Sequence, residues 1–252
     1  LYNGTTLHGA QSLLKNNELE PLIYYHQDTP VGKFINSRLF PSGRTGIIGL
    51  GVGTLAAYGQ PGESIDFYEL DPDTFKLAQE FRYLKNSKAK LNYIFADARV
   101  ALKRSRVKDY DTLIVDAFSG DSVPVHLLTV EAIKEYKTHL KDRGVILFHI
   151  SNRYLDLSPV LFNNAKSAGA HVVINSNTAN DKLLLSGSVW VALTWDKDNK
   201  DVLVSKLNWK EQGVKFKVKA IRPWTDKYSN VLSVFKPRHL IDSVRKFMPF
   251  YW

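Results

Sequence analysis

The sequence predicts an α/β protein built on a parallel, doubly wound sheet, with a small β appendage at its N-terminus. Three observations point there. Short runs rich in β-branched and aromatic residues recur from Thr45 onward, helical periodicities alternate with them, and the runs are apolar at nearly every position. A strand that is apolar on both faces belongs to a sheet covered on both faces. Strands alternating with helices imply parallel crossovers.

The strands read in order as "RTGIIGLG", "SIDFYEL", "LNYIFA", "DTLIVDAF", "GVILFHIS", "HVVINSN" and "SVWVALTW". After the second, "DPDTFKLAQEF" opens a helix on Asp71 and Pro72 and places Phe75, Leu77, Ala78 and Phe81 on one face. Asp97 caps a helix that begins at Ala98, and "TVEAIKEYKTHLKDRG" is a helix capped by Thr129 and stopped by Gly144. "DKDNKD", after the last strand, is a polar turn or a helix start. Residues 1–40 have another texture, with turn formers, short apolar pieces and an Asn-Gly pair that signals a hairpin. The expected division is therefore an N-terminal β-hairpin region over 1–40 and an α/β domain over 41–252. No repeat or low-complexity block interrupts it.

Composition narrows the function classes. With 44% hydrophobic and 23% charged residues, the chain has a soluble, globular profile. It has no cysteine, which removes disulfides, thiolate nucleophiles and cysteine-based zinc sites. The histidines show no His-x-x-x-His spacing, so no metal is expected, and no Gly-x-Ser-x-Gly elbow points to a hydrolase. No apolar run is long enough for a membrane helix, and no signal peptide opens the chain. Because it starts at Leu1 and its sole methionine is Met248, the chain is expected to be part of something longer. The net charge of +9 raises nucleic acid as a partner. However, the basic residues are scattered, with modest concentrations at Lys85–Lys90, Lys103–Lys108 and Lys215–Lys219, so a solvated surface is expected and no nucleic acid. An acidic membrane surface is the weaker alternative.

The chemistry gathers at the strand ends. Gly49, Gly51 and Gly53 form a tight turn after the first strand, where a ligand can approach the backbone closely and meet the unpaired N–H groups of the following helix. About eighteen residues past Gly51, Glu69 closes the second strand, a position from which a carboxylate accepts hydrogen bonds from vicinal ribose hydroxyls. Asp71 is a second candidate. Asp97, at the end of the third strand, can accept from an adenine amino group as well as cap its helix. Asp116 ends the fourth, in the crevice where open parallel sheets bind ligands. A dehydrogenase-like loop or a strand-turn packing device is the alternative for the glycines, and strand-end caps are the alternative for the acids. His126 and His149 are read as hydrogen-bonded structural groups, and "WTDKYSN" as a tail packing Trp224 and Tyr228.

Together "LHGAQ", "YYHQDTPVG", "GLGVGTLAAYG", "FYELDPD", "DARVAL", "DAFSGDSVPVHLLT", "HISNRYLDL" and "WTDKYSN" resemble the spermidine synthase family, the aminopropyltransferases, and within it a bacterial branch often fused behind membrane helices. The resemblance implies a Rossmann-like, methyltransferase-type fold. It implies that Gln11, Gly49, Gly51, Gly53, Glu69, Asp71, Asp97 and Ala98 hold the nucleoside of decarboxylated S-adenosylmethionine, or of S-adenosylmethionine itself. Tyr25, His26 and Gln27 stand where the family carries its Tyr-His-Glu segment, so the glutamate is replaced by Gln27, and Tyr24 and His26 are candidates for contacting the acceptor. Family enzymes have a second aspartate three residues after the first, whereas here Ser119 follows Asp116 and the next acid is Asp121. Polyamine specificity is thereby opened to question.

The implied reaction is attack of an amine on the carbon beside a sulfonium, with Asp116 orienting the amine and taking its proton and Tyr25 assisting. Ser119, Asp121 and Asp226 are further candidates for contacting the acceptor. An S-adenosylmethionine-dependent methyltransferase is the main competitor, and it would need a cation for the donor's carboxylate, with Arg44 or Lys33 the candidates. A nucleoside-binding sensor without catalysis is the third reading. The resemblance also implies a homodimer and a cytoplasmic location, tethered to the inner membrane where a membrane domain precedes it.

Overall fold

In a computed structural model of the chain, residues 2–3, 6–7, 9–15, 17–118, 124–212 and 217–236 are described, the first two pairs by backbone alone. The expected hairpin is formed by β1 (Tyr2–Asn3) and β2 (Thr6–Leu7). Helix α1 (Pro30–Ser37) follows, started by the Thr29 hydroxyl, which accepts from Gly32 N–H. One face of α1 places Val31 and Phe34 in the same core as the central sheet.

The sheet is built from β3 (Arg44–Ile48), β4 (Ser64–Glu69), β5 (Lys90–Phe95), β6 (Tyr110–Val115), β7 (Leu140–His149), β8 (His171–Asn177) and β9 (Ser188–Thr194). Their spatial order is β5-β4-β3-β6-β7-β9-β8. The intervening helices are α2 (Pro72–Ala78), α3 (Arg82–Lys85), α4 (Ala98–Arg104), α5 (Val130–His139) and α6 (Ser158–Ser167), with α7 (Lys197–Leu207) after β9. The order reverses between β3 and β6, which opens a crevice at their carboxyl ends.

Alternation along each strand explains the continuous apolar runs. Leu113, Val115, Ile146, Phe148, Val191 and Leu193 face a core completed by α4, α5 and α6. Their neighbours Ile114, Val145, Leu147, Trp190 and Ala192 face the opposite core, closed by α1, α7 and the 3-10 turn Thr54–Tyr58. Each face is thus buried on a two-residue period.

Three expectations are corrected. The sheet is mixed, because β9 inserts between β7 and β8 and runs antiparallel to both. Only residues 178–187 join β8 to β9, too short for the crossover that a parallel pair requires. Gly144 does not stop α5. The helix ends at His139, whose Nδ1 bonds the Val107 carbonyl at 2.5 Å, and Gly144 lies inside β7. Finally, the helix opened by Asp71 ends at Ala78, and Phe81 stands just before α3 instead of on the helical face. The Asp71, Asp97 and Thr129 caps are all present, accepting from Asp73, Val100 and Ala132 N–H groups respectively.

Candidate active site

Parallel register brings the predicted residues to one edge. Ile48 pairs with Tyr68 and with Val115, Glu69 with Phe95, and Val115 with Phe148, so the residues that follow these positions meet at the crevice. There they line a cleft of about 460 Å³. Gly49, Gly51, Glu69, Asp71, Asp97, Ala98, Asp116, Tyr24 and Tyr25 all contribute to its wall.

Gly49 has φ +101°, and a Cβ there would run into the carbonyl of Asp116, so the close approach of the β3 and β6 ends requires glycine. Gly53, with φ +75°, precedes the 3-10 turn Thr54–Tyr58 and packs against Leu84 away from the cleft. The expected helix after the glycine turn is therefore only this short turn.

Glu69 is fixed by two backbone donors. Its Oε2 accepts from Leu50 N–H at 3.0 Å and its Oε1 from Asp71 N–H at 2.9 Å. A carboxylate offers about four lone-pair sites, so two are left for a diol. Asp97 accepts from Val100 N–H at 3.0 Å and from His126 Nε2 at 3.0 Å. Burial pushes its carboxyl up, but these hydrogen bonds outweigh burial and hold it below the usual aspartate range. Asp97 is thus both cap and cleft wall.

Asp116 is nearly enclosed, with 3% of its side chain exposed. Its Oδ2 accepts from the Tyr25 hydroxyl and its Oδ1 from His149 Nδ1 at 2.7 Å. Burial, then the Asp116 charge, pushes the Tyr25 phenol well above its ordinary range, and the same two causes act in the same direction on Tyr24. Both phenols remain protonated at neutral pH. His149 stacks on Trp190 at 4.5 Å and 12°, with Tyr24 at 4.8 Å and Phe118 edge-on at 5.1 Å. Because an ionised Asp116 only accepts, Nδ1 carries the imidazole proton and Nε2 accepts from the Ser151 hydroxyl at 2.7 Å.

Other predicted residues lie elsewhere. The Gln11 side chain accepts from Arg82 N–H at 2.7 Å, outside the cleft wall. His26 is buried and receives Asp28 N–H at 3.1 Å, a local role, also outside the wall. Asp226 is gripped by Arg99 at 2.7 and 2.9 Å and by the Thr129 hydroxyl at 2.7 Å, behind the cleft. Arg99 lowers its carboxyl to about 2, with burial opposing and Thr129 assisting. Ser119 and Asp121 fall outside the described residues. Arg44 sits at the opposite end of β3, bound to Asp66 at 2.7 Å. His149 is hydrogen-bonded as expected, and the structure adds that its partners are Asp116 and Ser151. The sequence signal for this grouping is a His and a Ser two residues apart at the end of an apolar strand, beside the strand that Asp116 follows.

The fold and the cleft define a class, the Rossmann-like α/β fold of the methyltransferase type. No protein-family model matches the chain. A 106-residue stretch is 36% identical to a polyamine aminopropyltransferase of Vibrio vulnificus, covering 40% of this chain and 35% of that protein. A stretch of 105 residues is 37% identical to an N-terminal histidine N-methyltransferase of Emericella nidulans, covering 40% of this chain and 18% of that protein. The matches therefore span about a third and less than a fifth of these relatives' lengths. The fold is shared with a probable spermidine synthase from Corynebacterium glutamicum, with TM-score 0.53, 16% identity and 78% of each chain covered. The resemblance to the spermidine synthase family is borne out by these matches.

Proposed function

We propose that the chain is a group transferase that holds an adenosyl sulfonium donor in the cleft and moves the donor's aminopropyl group to an amine. One observation carries the choice of donor. The cleft wall contains four carboxylates, Glu69, Asp71, Asp97 and Asp116, and among the described residues no lysine or arginine. S-adenosylmethionine ends in a carboxylate that such a wall repels, whereas its decarboxylated form is cationic throughout its tail. The likeness to the aminopropyltransferase supports the same reading.

The fit is physical. Gly49 lets the β3 and β6 ends close against each other at the cleft wall, and Glu69, held by two backbone donors, lines the cleft with lone pairs to spare for the ribose. The volume is within the usual range for small-molecule sites, roughly 300–1,000 Å³. Asp116 presents a buried negative charge beside the place where the sulfonium and the incoming amine must meet, and Tyr25 fixes its orientation. The donor supplies the activated carbon. The chain positions the reactants and excludes water around them.

Methyl transfer to nitrogen is the second reading, favoured by the likeness to the N-methyltransferase. The deciding experiment titrates the protein with S-adenosylmethionine, its decarboxylated form and methylthioadenosine, then identifies products with amines by mass spectrometry. Preferential binding of the decarboxylated donor and an aminopropylated product are expected. Preference for the carboxylated donor with a methylated product overturns the proposal, and binding without turnover of any amine leaves a nucleoside sensor.

A further inference from the structure

A second pocket of about 480 Å³ lies beside the cleft and shares Phe118 with it. Its wall also contains Ser151, whose hydroxyl bonds His149 Nε2 at 2.7 Å, and His149 in turn bonds Asp116 at 2.7 Å. The connectivity is that of a Ser-His-Asp relay. Val189 N–H donates to Ser151 Oγ at 2.9 Å and holds the hydroxyl in place. The imidazole is 3% exposed, so its base nitrogen communicates with a ligand through Ser151. Asp116 already accepts two hydrogen bonds, which makes it a charge partner for His149 more readily than a direct proton acceptor.

The pocket's charges differ from those of the cleft. Among the described residues, Arg153 and Lys236 line it against one carboxylate, Asp156, over an apolar strip that includes Ile150, Leu155 and Val189. Arg153 lies over the Tyr154 ring at 5.7 Å, and Lys236 Nζ donates to the Asn152 carbonyl at 3.0 Å; neither meets a carboxylate among the described residues. Asp156 turns to Ser158 N–H at 3.1 Å. Such a wall fits an anionic group and disfavours a second ammonium.

We infer that this second pocket is the acceptor site, that the acceptor is an amine whose far end is anionic, and that its proton leaves through Ser151 to His149 while Asp116 balances the imidazolium. The inference rests on the transferase reading of the cleft. The step balances. The acceptor ammonium gives a proton to Ser151 Oγ as the Ser151 proton passes to His149 Nε2. The freed amine lone pair then bonds the donor carbon, the carbon–sulfur bond breaks, and its electron pair stays on sulfur as the thioether. The product is a secondary ammonium, and His149 returns its proton to solvent through Ser151. The groups facing His149 are Asp116 just past the end of β6, Ser151, Tyr24 from the turn before α1, and neutral Phe118 and Trp190, with Tyr25 behind Asp116 as its second donor. Arg153, Asp156 and Lys236 lie across Ser151 in the pocket.

The test compares γ-aminobutyrate with putrescine, amines of matched length that differ in the charge of the far end, using decarboxylated S-adenosylmethionine as donor. Donor affinity is measured in parallel on the wild type and on Ser151→Ala, His149→Gln and Arg153→Glu. The expected result is preference for γ-aminobutyrate in KM, shifted toward putrescine by about tenfold or more in Arg153→Glu, with donor affinity unchanged. Ser151→Ala and His149→Gln should lower kcat by about a hundredfold or more and lose the acidic limb of the pH–rate profile, as removal of a general base does. Ser151→Ala keeps the test decisive where His149→Gln fails to fold. Donor binding with putrescine preferred and Arg153→Glu without effect overturns this inference alone, as does an acidic limb that survives in Ser151→Ala. A wild type that binds no sulfonium donor overturns the transferase reading and this inference with it.

Discussion

At the scale of the residue, two positions carry the cleft. Gly49 combines a left-handed φ with contact to the Asp116 carbonyl, so Gly49→Ala strains the backbone and pushes the β3 and β6 ends apart. A stability loss of about 1–3 kcal/mol is expected from such strain, with donor affinity falling beyond what unfolding explains. Thermal melts and a methylthioadenosine titration measure the two effects, and unchanged values for both would remove Gly49 from the site. Glu69 makes a separable prediction. Charge-assisted hydrogen bonds contribute about 1.5–3 kcal/mol each, so Glu69→Gln should weaken methylthioadenosine binding by one to two orders of magnitude. An unaltered dissociation constant would show that the sugar does not sit at Glu69.

At the scale of the element, caps and ties decide what holds the cleft's walls. The segment around Asp226 is tied to the start of α5 through Thr129 and to α4 through Arg99. Its peptide N–H also donates to Glu131 at 3.1 Å. The Asp226 carboxyl is lowered from 3.8 to about 2, chiefly by Arg99. A lowered folded-state value means that this stabilisation is present above about pH 4 and is lost as pH falls toward 2. Because 43% of the Asp226 side chain is exposed, screening keeps its contribution below about 1 kcal/mol. Asp226→Asn should therefore melt slightly below the wild type at neutral pH, and the gap should close on acidification. A gap that widens in acid would contradict the assignment. What was legible in the sequence divides along the same line. The strands and the Asp71, Asp97 and Thr129 caps depend on neighbours in the chain, so local pattern sufficed. The antiparallel β9 was readable in principle from its short connection. The partners of Asp226 and Gln11, Arg99 and the Arg82 amide, are distant in sequence, so their placement outside the cleft wall was not legible there. The bond between His149 and Asp116 likewise depends on β6 and β7 lying side by side.

At the scale of the whole molecule, two electrostatic fields compete. The chain carries a net charge of +9, while among the described residues the cleft wall carries four carboxylates, no lysine or arginine, and one histidine, His126, bonded to Asp97. If the net charge governed binding, salt would screen a repulsion and tighten a cationic donor. If the cleft governs, salt screens an attraction and weakens it. The Debye length is about 8 Å at physiological ionic strength, so charges scattered over the surface are largely screened from the cleft, while carboxylates in its wall act at contact distance. Rising salt should therefore weaken decarboxylated S-adenosylmethionine and leave methylthioadenosine, which has no sulfonium or ammonium, nearly unchanged. The difference between the two ligands isolates the charge from the nucleoside, since both share the adenosine. Titrations across ionic strength measure it directly. Tightening of the cationic donor with salt would show that the protein's overall charge outweighs Glu69, Asp71, Asp97 and Asp116, and the choice of donor would lose its physical basis.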